Sequence, residues 1–106
     1  MFSFVEKTKK IILTRGDTAQ IGFDFTVTVG DSVVSDYKAV FHLKQKTGVR
    51  YPLLASTELV DGVLTITHEM TQGLESGPYW YDIEITAGDQ VMTYGPYQLQ
   101  LEPDVG

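Results

Sequence analysis

Residues Gly77–Ile85, reading GPYWYDIEI, limit the possible folds of this chain more than any other stretch. They open on Gly77-Pro78, a dipeptide that neither a helix interior nor a central strand accommodates. Tyr79, Tyr81, Ile83 and Ile85 then alternate with Trp80, Asp82 and Glu84. A period of two puts the first set on one face of an extended strand and the second set on the other, the pattern of a half-buried strand.

The same period recurs along the chain. Lys10–Thr14 is a short β-branched run ended by the turn Arg15-Gly16-Asp17. Gln20–Val29 predicts one long strand with Ile21, Phe23, Phe25, Val27 and Val29 inward, followed by a turn at Gly30-Asp31-Ser32 and a short loop. Lys38–Lys46 alternates again, with Ala39, Phe41 and Leu43 opposed by Val40, His42 and Lys44. After a turn at Thr47-Gly48, Arg50–Ser56 is a weaker strand, and Pro52 within it argues for a sheet edge. Asp61-Gly62 has the composition of a two-residue hairpin turn leading into Val63–Thr67. His68–Leu74 lacks alternation and fits a single helical turn. Ala87-Gly88-Asp89 turns the chain into a last strand, Gln90–Leu101, which Gly95-Pro96 interrupts with a bulge or kink before Tyr97, Leu99 and Leu101 point inward. Glu102–Gly106 is a tail.

About seven short strands with turn signals every 8–12 residues predict an all-β, immunoglobulin-like antiparallel β-sandwich, with a small closed barrel as the alternative. The segment before the Trp80 strand fits the first reading. Glu75–Tyr81 has the spacing of the immunoglobulin corner, in which a Tyr near the start of a strand bonds back to upstream backbone and a core residue follows two places later. Tyr79 would be that corner and Tyr81 that core residue, with Gly77 giving the entry bend. The chain divides into residues 1–9, an arm or edge strand carrying Phe2 and Phe4, and one sandwich domain over 10–106.

With 106 residues the chain can bury a working core without staples. It holds no Cys, which excludes disulfides and thiolate metal sites and fits assembly in a reducing cytoplasm. A net charge of −6 argues against nucleic acid, whose phosphates require a basic footprint. The charge is uneven, because residues 1–15 carry +3 and leave −9 for the rest. That basic segment reads either as an arm docking on a neighbouring copy or as solvated lysines flanking an edge strand. No stretch has the length of a signal-peptide core or of a membrane span.

Enzyme motifs fail individually. His68-Glu69 opens like a zinc-protease helix, but Gln72 stands where the second His belongs. Ser76 is misplaced for a nucleophile elbow and leads into no helix. Asp82 and Glu84, about 6.6–7 Å apart along one strand face, fall within the range of a glycosidase pair. A convex, wet sheet offers nothing to raise one of their pKa values, so they read as solvated carboxylates beside Lys44. Asp17 with Thr18 reads as turn chemistry rather than as calcium ligands. No catalytic, cofactor or metal residue is assigned. The outward residues are more informative: Val40, His42 and Lys44 fall beside Trp80, Asp82 and Glu84, with Tyr94 near them. An outward Trp is a favoured interface anchor. Two blander readings stand beside an intermolecular one: Phe2 or Phe4 of the arm covers Trp80, or Trp80 lies flat on its own sheet.

Leu13–Ala19 (LTRGDTA) before a Phe-rich strand, Gly77–Ile83 before the Ala87-Gly88-Asp89 turn, and the closing Gly95-Pro96-Tyr97-Gln98-Leu99 with Pro103-Asp104-Val105 resemble the N-terminal domain of the phage baseplate upper protein family, an immunoglobulin-like module of phage tails, baseplates and fibres. The resemblance covers most of residues 10–106. It implies a non-enzymatic virion component, made in the bacterial host cytoplasm, whose partners are other virion proteins and further copies of itself. It carries no catalytic residues, and Arg15, Gly16, Asp17 and Tyr79 match as turn and corner residues. In that family the module is joined to further domains, so a chain of this length is either a small whole protein or a cut piece. The alternative function is a module binding host-surface glycan or protein, with Trp80 and the tyrosines as a stacking platform.

Overall fold

The stretch GPYWYDIEI forms the first nine residues of the eleven-residue strand β9 (Gly77–Ala87), near the centre of the larger of two layers. This computed structural model describes residues 2–46 and 53–104. The larger layer is a six-stranded sheet in which β9 is flanked by β6 (Lys38–Lys44) and β10 (Gln90–Glu102). β7 (Ala55–Glu58) closes one edge, while β2 (Lys10–Thr14) and β1 (Phe2–Val5) continue beyond β10 to the other. The second layer is made of two small pairs: β3 (Ala19–Gly22) with β8 (Val63–Ile66), and the hairpin β4 (Val27–Val29)–β5 (Ser32–Val34). A five-residue helix α1 (His68–Gln72) bridges β8 to β9.

The protein is therefore all-β and sandwich-like. The inward halves of the alternating strands meet as one core: Ile11, Leu13, Phe41, Leu43, Tyr81, Ile83, Leu99 and Leu101 from the large sheet lie against Ile21, Leu64, Ile66 and Val27 from the small pairs. Burying both layers against each other is what holds such short strands, because three- and four-residue ladders have marginal stability alone.

Several features depart from the sequence expectations. There are ten strands among the described residues instead of about seven. The sheet is not wholly antiparallel, since β2 runs parallel to β10, with Ile11 beside Leu99 and Leu13 beside Leu101. The long strand expected over Gln20–Val29 is broken at residues 23–26. Its partner β8 begins at Val63, opposite Gly22, and Phe23 N donates to Gly62 O at 2.8 Å in the turn itself. Past that turn, residues 24–26 belong to no ladder among the described residues. Burial still alternates through the break, so side-chain partition survives where the ladder does not. The loop expected after Gly30 is instead the second arm of a hairpin, with Val29 paired to Ser32 across Gly30-Asp31. The weaker strand is Ala55–Glu58, at a sheet edge as Pro52 suggests; the Thr47-Gly48 turn and residues 50–52 lie outside the described residues. The Asp61-Gly62 turn, the helical turn and the Gly95-Pro96 bulge, whose peptide is cis, are present where expected.

Candidate functional site

Three groups of the residues singled out in the sequence fall in three different places. The first is a polar clasp at the pole where β2 ends. Gly16 takes φ +84°, which lets the chain reverse after Arg15. Gly16 N donates to Oγ1 of the fully buried Thr71 at 2.9 Å, and Gly16 O lies 2.6 Å from His68 Nδ1, so α1 holds the turn from both sides. The backbone of Asp17 bonds to Thr14 O. Arg15 reaches Leu74 O with Nη1 at 3.2 Å and Asp104 Oδ1 with Nη2 at 2.7 Å, while its backbone N donates to Glu102 O. The turn is thus tied to the helix through the Gly16 backbone, and to Leu74 and the chain after the last strand through the Arg15 side chain. His68 serves this clasp, and among the described residues no three of His, Cys, Asp or Glu gather as a metal site.

The second group is the corner. Gly77 enters β9 at φ +140°, and Tyr79 Oη donates to Glu75 O at 2.7 Å, the bond expected of a tyrosine corner. Burial, then the Glu75 carboxylate, raise the Tyr79 phenol pKa, while its bond to Glu75 backbone opposes the rise. Two residues on, Tyr81 is buried between Phe41 and Tyr97 and donates to Lys9 O at 2.5 Å. Tyr79→Phe should cost about 1 kcal/mol by leaving one carbonyl without its donor. Urea unfolding would read this as a lower midpoint at unchanged slope.

The third is the outward face of the large sheet. Register places Val40 beside Glu84, His42 beside Asp82 and Lys44 beside Trp80, with Gln98 on the other side of Trp80. His42 Nδ1 lies 3.0 Å from Asp82 Oδ1, each side chain about one-fifth exposed (20% and 21%). Trp80 is half-buried and, with Pro78, Gln45, Glu75 and Ser76, lines a shallow cleft of about 290 Å³ at the end of the sheet. Val40, His42 and Trp80 therefore share one face as expected.

Tyr94, Phe2 and Phe4 do not join them. Tyr94 pairs with Ile83, Phe4 with Ile11 and Phe2 with Leu13, all residues of the inward face. The two-residue Gly95-Pro96 bulge leaves Tyr94 on the same side as Tyr97, and β1 lies as an edge strand in register with β2. Phe4 packs edge-on against Phe23 at 5.7 Å, so the arm covers the inner layer rather than Trp80. Among the described residues no tyrosine ring stacks on Trp80, although Tyr79 lines the same cleft.

One constellation escaped the sequence reading. Ser56, His42 and Asp82 stand in a single row across β7, β6 and β9, in the order nucleophile, base, orienting acid. No hydrogen bond joins Ser56 to His42, so the nucleophile–base contact of such a row is not formed. The inner aromatic cluster of Phe23, Phe25, Tyr37 and Tyr94 also went unnoticed, although Phe23 and Phe25 signalled part of it by spacing. No helix among the described residues is long and apolar enough to cross a membrane. Compared with known protein families, curated proteins and solved structures, the chain matches none.

Proposed function

We propose that the protein is a non-enzymatic structural component of a bacteriophage particle, of the tail, baseplate or fibre type, residing in the virion and acting through protein–protein contacts in assembly. The sequence likeness of the LTRGDTA and GPYWYDI segments supports the phage assignment. The outward face of the six-stranded sheet carries the contact reading. The six strands hold 44 residues in all; at ~3.3 Å of rise and ~4.8 Å of strand spacing that face covers on the order of 700 Å², close to the ~800 Å² each partner contributes to a stable interface. It presents a large aromatic, Trp80, within mixed charge: Lys44 on one side, Asp82 and Glu84 along the same strand. Under a two-fold axis the cationic and anionic rows of one copy oppose those of another.

Light scattering on the purified chain should give a mass above the 11.8 kDa of one copy. Trp80→Ala should weaken that association by about 30-fold, the ~2 kcal/mol of an interface hot spot, while lowering the melting temperature by only a few degrees. A monomer at every concentration up to about 1 mM, or an assembly indifferent to Trp80→Ala, would sink the contact reading.

A further inference from the structure

The break between β3 and β4 leaves a cleft on the opposite side of the molecule from Trp80. Residues 23–26 cross there without a ladder partner, and beneath them opens a cavity of about 300 Å³ lined by Phe23, Asp24, Phe25, Tyr37, Asp61 and Gly62 among others. The Phe25 and Tyr37 rings stand at 86° with centroids 6.2 Å apart, which makes two adjoining walls. Phe23 lies parallel to Phe25, at 4° and 5.7 Å. Asp24 and Asp61 are exposed at the rim, and neither is ion-paired among the described residues.

Aromatic faces carry a negative quadrupole that attracts cations, most effectively those that give up little hydration on contact. Two carboxylates add a field that favours positive charge and repels anions. An inorganic divalent ion would need a set of oxygen ligands converging on one point, which rings do not supply. A soft organic cation with methyl or methylene groups around its charge satisfies both features. We propose that this cleft binds an organic cation of the quaternary-ammonium type, with Phe25 and Tyr37 as walls and Asp24 and Asp61 as counter-charges. The same chemistry would accept a trimethylammonium headgroup from a small molecule or a cell-surface polymer.

The test is calorimetric titration of the whole chain at low salt with choline, and in parallel with its neutral isostere 3,3-dimethylbutan-1-ol. Saturable choline binding is expected, with the isostere at least fivefold weaker. Tyr37→Leu and Asp61→Asn should each weaken choline about two- to fivefold, as one exposed cation–π or charge contact implies. Asp61 sits at φ +52°, a conformation Asn tolerates, so that variant keeps the turn and isolates the charge. Competition by free arginine at equal strength would assign the cleft to guanidinium side chains and overturn the quaternary-ammonium class. So would absence of saturation by ~50 mM choline, equal binding of the isostere, or full-strength binding by Asp61→Asn.

Discussion

Tyr81→Ala should lower stability by about 3–5 kcal/mol, a large part of the ~5–15 kcal/mol that holds a domain of this size. The ring is 1% exposed, and its centroid lies 5.5 Å from that of Phe41 and 5.6 Å from that of Tyr97. Removing it opens a cavity at the junction of β6, β9 and β10 and releases the bond to Lys9 O that anchors the turn between β1 and β2. The melting temperature should fall by about 15 °C or more. Tyr81→Phe keeps the ring and loses only the hydroxyl, so it should cost about 1 kcal/mol; similar costs for the two variants would disprove the packing account.

The same residue sets a pH dependence. Burial, then the neighbouring Tyr97 and Tyr94, push the Tyr81 phenol well above its ordinary value of 10.0, and burial raises Tyr97 likewise. Above pH 10 the unfolded chain loses phenolic protons that the folded chain retains. Stability is therefore complete below pH 10 and declines as pH rises beyond it. Thermal melts from pH 8 to 12 should show this decline, and Tyr81→Phe should make it shallower.

Gly62→Ala should cost about 3 kcal/mol. Gly62 adopts φ +77°, and a Cβ there would meet Phe23 O at 2.8 Å, a backbone atom that cannot swing aside. The clash falls on the turn whose carbonyl accepts from Phe23 N, the last bond before the chain crosses to β4. Gly30→Ala is the matched control, since Gly30 has φ +63° but nothing within 4 Å of its added carbon. It should show only the ~1 kcal/mol of left-handed backbone. Equal losses in the two variants, read from denaturant midpoints, would mean that the contact with Phe23 contributes nothing.

Side-chain partition was the legible part of this fold. Period-two alternation placed Tyr79, Tyr81, Phe41, Leu43, Ile21 and Leu99 on faces that become the core, and it set Val40, His42 and Trp80 outward. The spacing around Tyr79 located a corner that proves to be a hydrogen bond. Ladder partners were harder to read. Phe23 and Phe25 continue the rhythm of Ile21, yet whether a strand persists depends on how far its neighbour extends, and β8 starts too late. Tyr94 was placed on the wrong face because Gly95 and Pro96 together oppose the single residue Asp82, a one-residue register shift that reverses the alternation between Tyr94 and Tyr97. The Ser56–His42–Asp82 row and the Phe25–Tyr37 cleft each join segments remote in sequence, which no local pattern encodes.

The parallel pairing of β2 with β10 has a mechanical consequence. Phe2, Leu13 and Leu101 lie in one row across neighbouring strands, so both ends of the sandwich leave from the same pole. Tension applied through those ends would unzip β1 from β2 one bond at a time, because their antiparallel ladder is loaded from its tip. Once β1 is gone the pull reaches β2 at Lys10, directed along the strand away from Thr14 while β10 is drawn the other way. Parallel neighbours then resist in shear, with four register pairs from Leu99–Ile11 to Glu102–Thr14 strained together. The edge strand is thus a slack element that yields first under load, and the β2–β10 seam behind it is the stop.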